Sequence, residues 1–517
     1  MNSVLELLVL TLLINGAFSA KILGIFQGFA YSHQQLGNKI LYELAARGHQ
    51  VTAIIPGPFA PKTTIKNYKP VKIELPDFIE DKIPDLYKEA ERGIINRVLY
   101  MDAMGIIFGE MVFNQTTVQD LLKSNEEFDM VIVEQFLNEA FKGFCYHYKA
   151  HCVVVSTIGT SRWTDFQMGN PINPSYMPDV LLSYSNNMNF CERLVNSLTF
   201  LLATVNFFLF TLPKHNEMVQ KNFPGAPHIN ELYFNSSLML LNSHVSINSA
   251  VPLVPNMIEI GGFHVDPPKK LPKDLQDYLD EAKDGVIYFS MGSNLKVKDM
   301  EEGKRNAILN VLSKLKQKVL WKWETDSLPN QPKNVHLRKW LPQQDILAHP
   351  NVKLFITHGG LLSTIEAIYH GVPIVGVPVF GDQLMNTARA EVGGYGKGVH
   401  FKTLTEEAFG NAVNEVLNNP KYMENAKQRS KILHDQPMKP IDRAMYWIEY
   451  VLRHNGAPHL RTSALNLHWF QVLCLDVIVF IAFVVFIVIF AICKVINIAC
   501  PKGPKKLKLQ NKAKKKN

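Results

Sequence analysis

The chain has 517 residues, of which 47% are hydrophobic and 19% charged. That length excludes a single small module, and that composition excludes disorder over most of the chain. Six cysteines are too few for a disulfide scaffold. The net charge of +8 belongs to one end: residues 494–517 hold nine lysines and no acid, so the remainder is near neutral and a nucleic-acid-binding body is excluded.

Residues 4–14 are apolar except for Glu6 and Thr11, and small residues at Ala17 and Ser19 suit cleavage after Ser19. Residues 1–19 therefore read as a secretory signal peptide. Lys21 to Phe26 is a short β run. Gln34 to Arg47 has helical spacing, with Leu36, Ile40, Leu41, Leu44 and Ala45 on one side. Gly48 ends it and Val51 to Ile55 is the next strand, a β-α-β opening that predicts a parallel sheet. Phe128 to Val133 and Cys152 to Ser156 read as buried strands. Asn114 and Asn235 begin glycosylation sequons, as expected of a lumenal body. Cys145, His147, His151 and Cys152 have a spacing that zinc could use, but the segment reads better as a helix running into a strand. Cys145, Cys152 and Cys191 are an odd count, which leaves at least one thiol free. Residues 200–212 are too short to span a bilayer and read as a core helix, with a helix at the membrane surface as the second reading.

Pro252, Pro255, Pro267, Pro268 and Pro272 mark a linker to a second alternating set. Its strands are Val286 to Ser290, Val319 to Trp323, Val352 to Thr357 and Val372 to Val377. Its helices are Met300 to Leu315, Leu361 to Tyr369 and Leu384 to Glu391. Two such domains predict a cleft, with ligands at the carboxyl ends of the strands. The expected boundaries are 20–265, 266–440, and helices approaching a membrane over 441–470. Val477 to Cys493 is wholly apolar, and the 22 residues from Val472 would make about 33 Å of helix. Residues 471–493 are thus a predicted transmembrane helix, and 494–517 a basic cytosolic tail that would also touch anionic membrane lipid.

The segment from Trp340 to Gln383 carries the chemistry. His358-Gly359-Gly360 closes a strand and opens a helix, so backbone N–H groups and the helix N-terminus can meet a diphosphate. Ser363 lies one turn on, and Ser293 follows another strand. Glu366 is a carboxylate that can accept from two ribose hydroxyls, and Trp340 offers a flat face for a base. Asp382 and Gln383 end a strand where sugar hydroxyls can be held.

This segment resembles the signature of the UDP-glycosyltransferases, enzymes of the α/β GT-B fold, in which two Rossmann-like domains face a cleft. The resemblance covers nearly the whole chain and is closest to the animal membrane-bound branch; Gly169 to Pro178 is similar to arthropod members. It implies that Trp340 and Gln343 hold uracil, His358 and Ser293 the diphosphate with Gly359 and Gly360, Glu366 the ribose, and Asp382 and Gln383 the sugar. One departure is Leu362, where many relatives have Asn; Ser363 is the substitute contact. The resemblance also makes His33 the base that deprotonates an acceptor hydroxyl, steadied by Glu134 where relatives carry Asp. A helix N-terminus is expected to keep His33 neutral. The implied reaction moves a hexosyl group, glucose with glucuronate as the alternative, to a small lipophilic acceptor with inversion. No metal or other cofactor is expected, because UDP-sugar is a co-substrate. The dilysine-like Lys514-Lys515 end implies the endoplasmic reticulum membrane and a single-pass, lumenal arrangement. A tethered binding protein without turnover is one rival. A nicotinamide dehydrogenase is another, and the lack of G-x-G-x-x-G after this chain's first strand argues against it. The sequence leaves acceptor identity and any homo-oligomer open.

Overall fold

The computed structural model describes residues 19–28, 30–74, 86–325 and 327–499. The signal peptide at 1–19 lies, except for Ser19, outside the described residues, as does the tail from 500 onward.

Short runs of β-branched and aliphatic residues, buried on both faces, are what a parallel sheet covered by helices requires. The first sheet has seven strands, of which only the edge strand β3 is largely uncovered: β1 (Lys21–Ile25), β2 (Gln50–Pro56), β3 (Tyr68–Ile73), β4 (Met130–Glu134), β5 (His151–Ser156), β6 (Leu238–Leu241) and β7 (Met257–Glu259). Their order is β3-β2-β1-β4-β5-β6-β7, with every pairing parallel. The second sheet holds β8 (Val286–Ser290), β9 (Lys318–Lys322), β10 (Val335–Arg338), β11 (Val352–Thr357), β12 (Ile374–Gly376) and β13 (Gly396–Gly398). Its order is β10-β9-β8-β11-β12-β13, again all parallel. In both sheets the strand order reverses beside the first strand, between β1 and β4 and between β8 and β11. Those switch points open crevices at the carboxyl ends of the strands, where ligands bind in such folds.

The helix Pro440–Arg453 was expected on the membrane side of the second domain. It buries Ala444, Met445, Ile448 and Val451 in one core with Leu36, Ile40 and Leu44. The chain therefore returns to the first domain after completing the second. The two domains and this helix form one compact unit through Thr462.

The core-helix expectation for 200–212 holds on one face only. Phe190–Asn206, a π-helical stretch Phe207–Thr211 and Leu212–Asn222 run on as one helix. Ala203, Phe207, Thr211 and Leu212 are buried, whereas Leu201, Val205, Leu209 and Phe210 are exposed. Cys145 and Cys152 form a disulfide between the helix Lys142–His147 and β5, so they are not zinc ligands; Cys191 is free and exposed.

The residues after Thr462 form a separate unit. Its helix Leu475–Ala499 contains an 18-residue stretch of mean hydropathy 3.3 and is long and apolar enough to cross a membrane. It starts and ends later than the 471–493 reading. Asn114 and Asn235 both lie on the surface; Asn235 Oδ1 accepts from Arg461 at 2.8 Å.

Candidate active site

A cavity of about 450 Å³ lies between the two switch points. His33, Ser293, Trp340, Gln343, His358, Gly360, Ser363, Glu366, Asp382 and Gln383 all line it. Glu134 and Gly359 stand immediately behind that lining.

On the first-domain side, Glu134 ends β4 and is fully buried. The helix Tyr31–Ala46 starts beyond β1 and places His33 in its first turn. Gln34 fixes the approach by donating from Nε2 to the carbonyls of Phe26 and Gly28 at 2.7 and 2.6 Å. His33 Nδ1 is in direct hydrogen-bond contact with Glu134 Oε1. The longer arm of Glu therefore still reaches the imidazole, and this contact favours the tautomer whose free lone pair is on Nε2. Burial pushes the imidazole pKa down, but the charge and hydrogen bond of Glu134, with a weaker contribution from Asp382, outweigh it and the net shift is upward. The expectation from the helix N-terminus had the opposite sign. A dipole contributes about 0.3–1 kcal/mol near a surface, and a direct buried carboxylate contact exceeds that.

Thr157 was missed in the sequence. It lies just past the end of β5; its Oγ1 donates to Glu134 Oε1 at 3.3 Å and sits 3.2 Å from His33 Nδ1. Beyond the dyad the cavity wall is apolar, formed by Met101, Phe136, Ile158, Trp163, Val180 and Leu181.

On the second-domain side, His358 follows β11 and is packed against glycines. A Cβ at Gly360 would stand 2.5 Å from its Nε2, and one at Gly292 would stand 2.7 Å from its Cε1. Gly359 has φ +81°, a conformation that favours glycine. The helix Leu361–Tyr369 then presents its N-terminal amides to the cavity. Burial, reinforced by the positive charge of Lys322, lowers the His358 pKa to about 4, so this imidazole is neutral at pH 7. Lys322, a second missed residue, ends β9. Its Nζ donates to the Gly292 carbonyl at 2.7 Å and lies 5.5 Å from the Trp340 ring centroid. Among the described residues, only Lys269 joins it as a Lys or Arg in the cavity lining. Trp340 is 60% exposed, which suits a stacking platform, and Tyr31 meets it edge-on at 5.7 Å.

Glu366 is buried, and burial raises its pKa to about 7 against the hydrogen bonds of Gln343 and Gln344. Ser363 Oγ accepts from Gln343 at 3.0 Å, so this hydroxyl sits with the Glu366 cluster. Leu362 packs toward the first domain's core. Asp382 immediately precedes the helix Gln383–Val392, and its carboxylate accepts from Asn386 at 2.7 Å. Gln383 Oε1 accepts from the amides of Val379 and Phe380 at 2.9 and 3.1 Å.

Comparison with known proteins decides what this cleft belongs to. The family model "UDP-glucoronosyl and UDP-glucosyl transferase" matches residues 20–510. The chain belongs to the UDP-glycosyltransferase family. A UDP-glycosyltransferase, UGT5, of Dactylopius coccus is 38% identical over 502 residues, covering 94% of this chain and 93% of its own. UDP-glucuronosyltransferase 2B7 of Homo sapiens is 34% identical over 489 residues, covering 90% of each. The fold is shared with CalG4, a calicheamicin glycosyltransferase, at 17% identity and TM-score 0.55 over 84% of this chain and 99% of that one. This UDP-glycosyltransferase is therefore an enzyme that uses a UDP-sugar donor and an acceptor.

Proposed function

We propose that this UDP-glycosyltransferase moves glucose from UDP-glucose to a hydroxyl of a small lipophilic acceptor, with inversion. The observation that carries the reading is the His33–Glu134 pair, which faces the His358–Lys322 wall across one cavity.

Neutral His33 takes the acceptor proton on Nε2 while the acceptor oxygen attacks the anomeric carbon. The bond to UDP breaks as the new glycosidic bond forms, so an α-linked donor gives a β-glycoside. Glu134 holds Nδ1–H and steadies the imidazolium, as a triad carboxylate does. The leaving diphosphate is held by the amide at Gly360 and the helix N-terminus it opens, by Ser293, and by neutral His358 as a hydrogen-bonding partner, with Gly359 making the turn that sets them. Because His358 carries no charge, Lys322 supplies the positive charge on this wall. Uracil stacks on Trp340 beside Gln343, Glu366 takes the ribose, and Asp382 and Gln383 hold the sugar hydroxyls. The apolar wall from Met101 to Leu181 supports a lipophilic acceptor.

Glucose is proposed over glucuronate because Asp382, partly exposed at the cavity, is a hydrogen-bond partner for neutral sugar hydroxyls rather than a counter-charge for a sugar carboxylate. Direct contact between Glu134 and His33 favours an active enzyme over a binding protein that has lost turnover. The helix Leu475–Ala499, with the signal reading of 1–19, exposed Asn114 and Asn235 and the lysine-rich tail, supports a single-pass endoplasmic reticulum protein with a lumenal catalytic body.

A donor panel tests the reading. UDP release and product are followed with 1-naphthol as acceptor and UDP-glucose, UDP-galactose or UDP-glucuronate as donor. The β-glucoside is the expected product. Faster turnover of UDP-glucuronate would overturn the donor assignment, and UDP binding without release from any donor would overturn the enzymatic one.

A further inference from the structure

Consecutive residues in a helix point about 100° apart, so neighbours seldom serve one group. Gln343 and Gln344, at the start of the helix Gln343–Leu347, nevertheless both donate to Glu366. Gln343 Nε2 reaches Oε2 at 2.5 Å and Gln344 Nε2 reaches Oε1 at 2.8 Å. Their other bonds lead in different directions. Gln343 stays within the second domain, where its Oε1 accepts from Tyr288 at 3.2 Å.

Gln344 reaches the segment joining the domains. Its Oε1 accepts from the Asp266 amide at 3.2 Å, and its Nε2 also donates to the His264 carbonyl at 3.4 Å. The Asp266 carboxylate accepts from Lys39 at 2.5 Å, and Lys39 sits on the same helix as His33. A primary amide has two N–H donors and one carbonyl acceptor. In Gln344 all three are engaged, one with Glu366 and two with the linker backbone. The amide cannot follow a displaced linker without loosening its hold on the carboxylate.

We propose that Gln344 is a positioning residue that couples ribose capture at Glu366 to the set of the interdomain linker. Filling the donor site then fixes how the linker, and through Lys39 the His33 helix, is held. This rests on Glu366 being the ribose ligand, and the experiment separates the two claims.

The full-length protein in nanodiscs is titrated with UDP and with 2′,3′-dideoxy-UDP, and hydrogen exchange is followed over residues 260–269. In the wild type, UDP slows exchange of these amides, and the dideoxy analogue binds more weakly without slowing them. Gln344→Met, a near-isosteric apolar variant, weakens UDP binding about tenfold, the effect of losing one hydrogen bond to a buried carboxyl group. In this variant the linker no longer responds even at saturating UDP. Gln344→Asn, whose amide is a methylene too short to bridge, shows the same loss and serves if the first variant fails to fold. A wild-type-like linker response in either folded variant overturns the coupling. Equal wild-type affinity for UDP and its dideoxy analogue overturns the ribose reading instead.

Discussion

His33 and His358 each follow a strand at the switch point of its sheet, β1 in the first and β11 in the second, yet their neighbours give them opposite protonation behaviour. His33 touches a buried carboxylate and is made more basic. His358 is packed against glycines beside a lysine, and its pKa falls to about 4. Topology selects the location, and the adjoining charge selects the chemistry: a proton acceptor on one wall, and on the other a neutral ligand for a diphosphate whose charge falls to Lys322.

The comparison can be broken at each wall. The largest effect belongs to His33→Ala, which removes the proton acceptor. Turnover should fall by about 10²–10⁴-fold, the usual contribution of a general base, while UDP affinity by calorimetry stays close to wild type. On the other wall, Lys322→Met keeps most of the bulk and deletes the cation. The turnover rate kcat should drop about 10- to 100-fold, and Lys322→Arg should recover most of it, because the interaction lost is charge-assisted. Trp340→Ala should act mainly on donor KM, raising it about tenfold with a small change in kcat, since stacking on an aromatic face contributes about 1–3 kcal/mol per base. If Lys322→Met left kcat unchanged, the charge on the leaving group would have to be met elsewhere.

The two walls also differed in how much of them was readable in the sequence. Most of the second wall comes from 44 adjacent residues, Trp340 to Gln383, whose spacing is visible along the chain. The first wall brings together residues 33, 134 and 157 from three separate strand ends. His33 and Glu134 were reached only through the family resemblance, and Thr157 had no local signal. Lys322 ends β9, where a lysine reads as an ordinary solvent-facing residue; only the packing of β9 beside β8 brings it to Gly292. The parallel α/β pattern was legible from hydrophobic runs and turn residues. The return of Pro440–Arg453 to the first domain was not, because its apolar stripe fits either sheet. The sign of the His33 shift was misjudged because the helix terminus is local in sequence, whereas Glu134 is 101 residues away.

The most direct test of the account is the pH dependence of kcat/KM for the wild type and Glu134→Gln. A base whose pKa is raised loses its proton only at higher pH, so the acid limb of the wild type should have its midpoint above 6.5. Glu134→Gln removes the carboxylate charge and leaves the burial, so its midpoint should move below that of the wild type while the plateau falls. An unmoved midpoint, or one that moves upward, would contradict the claim that Glu134 sets the basicity of His33.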